Sequence, residues 1–117
     1  MISIVDDDEP ARDSLAVLLE SAGFPVRSFA SCEALLAAEP SDEKCLVLDI
    51  HMPGMSGLEL LEELRRAGDE RPVIVVTAHS TPAAVQRARA AGAFGFLEKP
   101  FKAAELLDLI RAASAGT

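Results

Sequence analysis

The chain has 117 residues, enough for one domain with one hydrophobic core and with little room for a second. Half of the residues are hydrophobic and 26% are charged, with 7 Gly and 7 Pro, a globular profile that excludes a disordered or collagen-like chain. Eleven Lys and Arg against 19 Asp and Glu leave a formal charge of −8, so no nucleic-acid binding by attraction to a phosphate backbone is expected. No apolar run approaches the roughly 20 residues of a membrane span. The opening Met1-Ile2-Ser3-Ile4-Val5-Asp6-Asp7 meets acidic residues too early for a secretory leader, and a cytoplasmic location without membrane contact is expected. Cys32 and Cys45 are too few for a disulfide framework and too far apart for a zinc knuckle, which predicts buried, reduced thiols.

Short β-rich runs alternate with segments of helical period. Ile2-Ser3-Ile4-Val5 reads as a strand, and Asp8 or Glu9 can cap a helix with Pro10 in its first turn. Ala11, Leu15, Leu18 and Ala22 carry its apolar stripe up to Gly23. Pro25–Phe29 is a second strand, Ser31 caps a helix through Leu35 and Leu36, and Glu39–Lys44 is a polar surface loop. Cys45–Leu48 is a third strand. After His51-Met52-Pro53-Gly54, Ser56 caps a helix with Leu58, Leu60, Leu61 and Leu64 that stops near Gly68. Val73–Val76 is the fourth strand, Thr81-Pro82 opens an Ala-rich helix closed by Gly92, and Gly95-Phe96-Leu97 is a short fifth strand. Leu106, Leu109, Ile110 and Ala113 mark a last amphipathic helix.

Strands apolar on both faces, alternating with helices, require a parallel sheet covered on both sides with right-handed crossovers. The fold class is α/β, and ligands of such sheets sit beyond the carboxyl ends of the strands. Those ends carry Asp6-Asp7-Asp8, Asp49, Thr77 and Glu98-Lys99-Pro100. Clustered carboxylates repel unless a cation lies among them, and hard oxygen ligands suit Mg²⁺ better than zinc, with Mn²⁺ as a substitute. A cation, a hydroxyl and a lysine around one further carboxylate fit phosphoryl transfer, in which negative charge spreads over three oxygens. Asp49 is the candidate acceptor, already ionised and in need of no catalytic base.

Ile4-Val5-Asp6-Asp7-Asp8, Leu48 to Gly57, Val75-Val76-Thr77-Ala78 and Glu98-Lys99-Pro100-Phe101 together resemble the receiver domain of two-component response regulators, over residues 1–117. The resemblance implies five parallel strands in the order 2-1-3-4-5 flanked by five helices, a flavodoxin-like fold. It implies that Asp49 is the phosphorylated aspartate, Asp7 a direct metal ligand, Asp6 a ligand through water, and the His51 backbone carbonyl a third protein ligand. Lys99 would pair with the phosphoryl group, with a cis bond to Pro100. Thr77 would bond a phosphoryl oxygen, with Ala78 leaving the site open. Phe96 would be the aromatic that moves from exposed to buried as Thr77 turns inward. His51 and His79, each two residues past a site residue, are expected to tune the lifetime of the acyl phosphate.

The implied partners are a sensor histidine kinase and a second copy meeting through the fourth helix, fifth strand and fifth helix, where Arg87, Arg89, Lys102 and Asp108 are available for ion pairs. Asp6-Asp7-Asp8 with Arg12, and Phe96 through Phe101, are similar to receivers that precede a helix-turn-helix DNA-binding domain, which makes transcription the expected output. The expected role is signalling, with no chemistry beyond its own phosphorylation and dephosphorylation. Two alternatives remain open. A haloacid-dehalogenase-like hydrolase also uses an aspartyl nucleophile beside Mg²⁺, although its usual second Asp is replaced here by His51. A pseudo-receiver keeps the fold as a binding module without the chemistry. Ala115-Gly116-Thr117 lies where a linker would begin, so both a stand-alone receiver and a fragment fit the sequence.

Overall fold

The computed structural model describes residues 1–39 and 42–115. Five strands, β1 (Ile2–Val5), β2 (Val26–Phe29), β3 (Cys45–Asp49), β4 (Val73–Thr77) and β5 (Gly95–Glu98), alternate with five helices. The helices are α1 (Glu9–Ser21), α2 (Cys32–Ala37), α3 (Gly57–Arg66), α4 (Pro82–Ala90) and α5 (Ala103–Ala115). The strands form one parallel sheet in the order β2-β1-β3-β4-β5. This is the expected topology, with its direction reversal between β1 and β3.

Local chemistry sets the helix starts. Asp8, Ser31, Ser56 and Thr81 each accept a backbone N–H three residues on, at 3.2, 3.0, 3.1 and 3.1 Å. At Ser56 the bond is reciprocated, because Glu59 accepts from the Ser56 N–H at 2.9 Å. Successive side chains of a strand point to opposite faces, which divides the core in two. Ile2, Ile4, Cys45, Val47, Ile74 and Val76 pack with Leu15 and Leu19 of α1 and Leu106 and Ile110 of α5. Val5, Leu46, Leu48, Val73 and Val75 pack with Leu35 of α2, Leu58, Leu61 and Leu64 of α3 and Ala88 of α4.

Two expectations are corrected by the packing. In α1 the fully buried partner of Leu15 is Leu19, whereas Leu18 is only half-buried, so the inward stripe is rotated by one position. In the loop between α2 and β3, Pro40 and Ser41 lie outside the described residues, but Glu43 is buried at 5% exposure instead of facing solvent. Its carboxylate accepts from the Ser3 hydroxyl at 2.9 Å and from the guanidinium groups of Arg27 and Arg71, and these donors are what permit a charge there.

Both cysteines are free and buried, as expected. Burial is the main cause that pushes each thiol up to about 12 from 9.0. The folded thiols hold their protons through the whole range in which unfolded ones ionise, so their contribution to stability is full below 9.0 and is lost as pH rises through about 12. At pH 8 the folded protein is expected to react with a thiol reagent about a thousandfold more slowly than the urea-unfolded protein, because reactivity follows the thiolate fraction. Equal rates in the two states would contradict this burial.

Candidate functional site

The carboxyl ends of β1, β3, β4 and β5 meet at one rim of the sheet, and each delivers a polar side chain there. Asp6 and Asp49 are 1% and 8% exposed, and Thr77 is fully buried. Carboxylate oxygens of Asp6, Asp7 and Asp49 all lie within 4.8 Å of one another. Lys99 reaches across the rim with its Nζ at 3.2 Å from Asp6 Oδ2 and 3.6 Å from Asp49 Oδ2. The Lys99–Pro100 peptide bond is cis, as the resemblance implied.

Asp6, Asp49 and Thr77 are each held by a backbone group two residues further along the chain. Asp6 Oδ1 accepts from the Asp8 N–H at 2.9 Å, closing the turn into α1. Asp49 Oδ1 accepts from the His51 N–H at 3.3 Å. Behind Asp49, α3 begins in close contact with β3: a Cβ added at Gly57 would stand 2.1 Å from the Asp49 carbonyl oxygen. On the far side, the Thr77 hydroxyl accepts from the His79 N–H at 3.1 Å and donates to the His79 carbonyl at 3.2 Å. The His51 ring also reaches that carbonyl, with Nε2 at 3.3 Å. The two histidine rings are exposed, with centroids 6.5 Å apart. Glu98 fastens the same loop to the end of β5 by accepting from the Ser80 N–H at 3.0 Å.

Three carboxylates against one ammonium leave the rim rich in negative charge. Burial pushes the Asp49 carboxyl up; Lys99 draws it down, Asp6 pushes it up again, and the net direction is upward. Burial pulls the Lys99 ammonium down, but Asp49 and Asp6 together outweigh that and hold it above its usual value. An all-oxygen donor set with surplus negative charge and one member open to solvent fits a hard divalent cation that keeps several waters.

Residues 2–111 match the response regulator receiver domain. The chain belongs to that family. This receiver is 46% identical over 112 residues to the transcriptional regulatory protein FixJ of Azorhizobium caulinodans, covering 95% of the chain and 53% of that protein. It is 46% identical over 118 residues to the C4-dicarboxylate transport transcriptional regulatory protein DctR of Rhodobacter capsulatus, covering 97% of the chain and 59% of the relative. The chain thus spans about half the length of the curated relatives it matches. Among solved structures it resembles FixJ-N, at 42% identity with a TM-score of 0.90, over 99% of this chain and 94% of that one. Receivers of two-component response regulators are signalling domains, and no helix of the described residues is long and apolar enough to cross a membrane.

Of the residues read at the strand ends, Asp6, Asp7, Asp49 and Lys99 come together at this rim. Thr77 ends the neighbouring β4 with its hydroxyl on His79, whereas Asp8 caps α1 and Glu98 holds the Ser80 N–H. Phe96 is half-buried against the α3–α4 side of the core, beside a pocket of about 220 Å³ that it lines with Val85, Ala88 and Ala93. Arg87, read as available for ion pairs with a partner copy, already pairs within the chain while staying exposed. Its Nε and Nη2 are bidentate on Glu62 of α3, at 2.9 and 2.7 Å. The sequence marked Arg12 only as part of a subfamily signature and not as a site residue, yet its Nη1 donates to the Asp6 carbonyl at 2.8 Å. The available signal was a lone cation one helical turn into an acidic start.

Proposed function

We propose that this receiver takes a phosphoryl group onto Asp49 from a phosphohistidine of a sensor kinase, with Mg²⁺ or Mn²⁺ held by Asp6, Asp7, Asp49 and the His51 carbonyl. The observation that carries this reading is the convergence of three carboxylates within 4.8 Å and one lysine within 3.6 Å of Asp49. A carboxylate oxygen of Asp49 forms the bond to phosphorus as the donor's P–N bond breaks, and the departing imidazole keeps the electron pair. The bound cation would draw off charge that otherwise repels donor from nucleophile. Lys99 supplies a second positive charge to the transferring oxygens.

In this reading the new phosphoryl oxygens are stronger acceptors than the carbonyl that Thr77 now uses, so its hydroxyl leaves His79 and turns to Asp49. The loop before α4 follows, and Phe96 repacks into the pocket beside it. The exposed charges of Arg89, Lys102 and Asp108 then belong to a dimer surface on α4, β5 and α5. The names of the relatives support transcription as the controlled process.

The test is incubation with acetyl phosphate and Mg²⁺, followed by intact-mass measurement. One phosphoryl adduct is expected, absent with EDTA and absent in Asp49→Asn. An adduct that persists in Asp49→Asn would remove the assignment, and steady phosphate release from simple phosphate esters would indicate a hydrolase. Replacing both His51 and His79 by Ala is expected to change the decay rate of the adduct several-fold. An unchanged rate would leave the two rings without a kinetic role.

A further inference from the structure

Asp7 is the member of the acidic cluster with the least support of its own. It is exposed, and its carboxylate makes no hydrogen bond among the described residues. Its place beside Asp6 and Asp49 is therefore set by the backbone on either side of it. The peptide unit from Asp7 to Asp8 is held by the Asp8 N–H donating to Asp6 Oδ1 at 2.9 Å. The unit from Asp6 to Asp7 is a rigid plane, and its oxygen is the Asp6 carbonyl.

That carbonyl lies one residue beyond the ladder of β1, whose pairing with β2 and β3 ends at Val5. Asp6 is buried, so its carbonyl needs a donor that the sheet does not supply. Arg12 supplies it. The Arg12 backbone N–H is bound to the Asp8 carbonyl at 2.9 Å in the first turn of α1, and its side chain turns back so that Nη1 meets the Asp6 oxygen at 2.8 Å. Both ends of the three-residue acidic turn are thereby tied to the same helix start.

We infer that Arg12 is a positioning residue for the metal site: by holding the plane of the Asp6–Asp7 peptide it aims the Asp7 carboxylate at the point where Asp6 and Asp49 converge. The inference rests on the reading of this cluster as a divalent-cation site. It has a sign that separates it from plain electrostatics. Removing a positive charge from beside three carboxylates would by itself tighten cation binding. Removing a group that orients a ligand weakens binding, by about 10- to 100-fold for outer-shell partners.

The test is a titration of the metal-free ¹⁵N-labelled protein with MgCl₂, followed through amide shifts, for wild type, Arg12→Ala, Arg12→Lys and Asp7→Asn. Saturable wild-type binding that Asp7→Asn weakens strongly upholds the reading of the site, and no saturable binding by wild type defeats that reading before Arg12 is considered. Given binding, Arg12→Ala is expected to be weaker than wild type by about tenfold or more, with Arg12→Lys between them because an ammonium keeps the charge and a donor but not the planar fork. Equal or tighter binding by Arg12→Ala would overturn the positioning role. The metal-free amide shifts of Asp7 and Asp8 give a second readout: they are expected to move in Arg12→Ala, and unchanged shifts would count equally against it. If Arg12→Ala does not fold, Arg12→Lys decides by the same two measurements, with wild-type affinity and unmoved shifts overturning the inference.

Discussion

Replacing Gly57 by Ala is expected to destabilise the domain by about 3 kcal/mol or more, at the upper end of overpacking changes. The added methyl would meet the Asp49 carbonyl oxygen at 2.1 Å, the Asp49 carbonyl carbon at 2.9 Å and the Ile50 Cα at 3.3 Å. All three are backbone atoms at the end of β3, so no rotamer change can make room. The first turn of α3 and the end of the central strand must separate, and the Gly57 N–H bond to the Ile50 carbonyl, 3.2 Å long, goes with them. Asp49 sits on the displaced backbone, so loss of stability and loss of cation affinity are expected together. Gly68→Ala is the control. Gly68 has φ +84 with nothing within 4 Å of an added Cβ, so its cost is that of a left-handed alanine, about 1 kcal/mol. Urea midpoints of the two variants test the comparison, and equal losses would show that the contact between α3 and β3 is not tight.

That contact also marks how far the sequence could be read. The inner strands β1, β3 and β4 were legible because they are short, mostly apolar runs buried on both faces, and the helix starts because Ser31, Ser56 and Thr81 are residues whose side chains satisfy free amides. The site was legible as a list because acidic, hydroxyl and lysine residues all follow apolar runs, and a parallel sheet brings such ends together. What could not be read depends on partners remote in the chain. Glu43 looks like a loop charge until Ser3, Arg27 and Arg71 are placed around it, 40, 16 and 28 residues away. Arg87 looks free until Glu62 of the neighbouring helix is found under it. The direction of the Thr77 hydroxyl is a local matter of a different kind: spacing places the residue at the rim, but whether its hydroxyl faces Asp49 or its own loop depends on the turn through His79.

Replacing Lys99 by Met is expected to lower the stability of the metal-free protein near neutral pH by about 1–3 kcal/mol, below the 3–5 kcal/mol typical of breaking a fully buried pair. The discount follows from the 26% exposure of the lysine side chain. Asp6 and Asp49 would keep their burial and their mutual repulsion without the cation that now lies 3.2 and 3.6 Å away. Burial already pushes the Asp49 carboxyl above 3.8, and Lys99 is what draws it back, so the variant's value moves further up. A carboxyl raised in this way favours the fold most at pH below its unfolded value and loses that contribution as pH rises through its folded value. The deficit of the variant should therefore be large at pH 7 and shrink toward pH 4, as a proton does the neutralising that the ammonium does in the wild type. The alkaline limb runs the other way. Wild-type Lys99 has a raised value, so its contribution is full below 10.5 and is lost as pH rises past that point, a loss the variant cannot show. Mg²⁺ should restore more stability to the variant than to the wild type, because the cation enters a cluster with one positive charge fewer. Phosphoryl transfer from acetyl phosphate should nevertheless slow by at least about tenfold, since no metal-bound charge replaces the ammonium on the transferring oxygens. Chemical denaturation at a series of pH values, with and without Mg²⁺, measures the stability claims; a variant as stable as wild type at pH 7 without metal would mean that Lys99 does not hold the two carboxylates together.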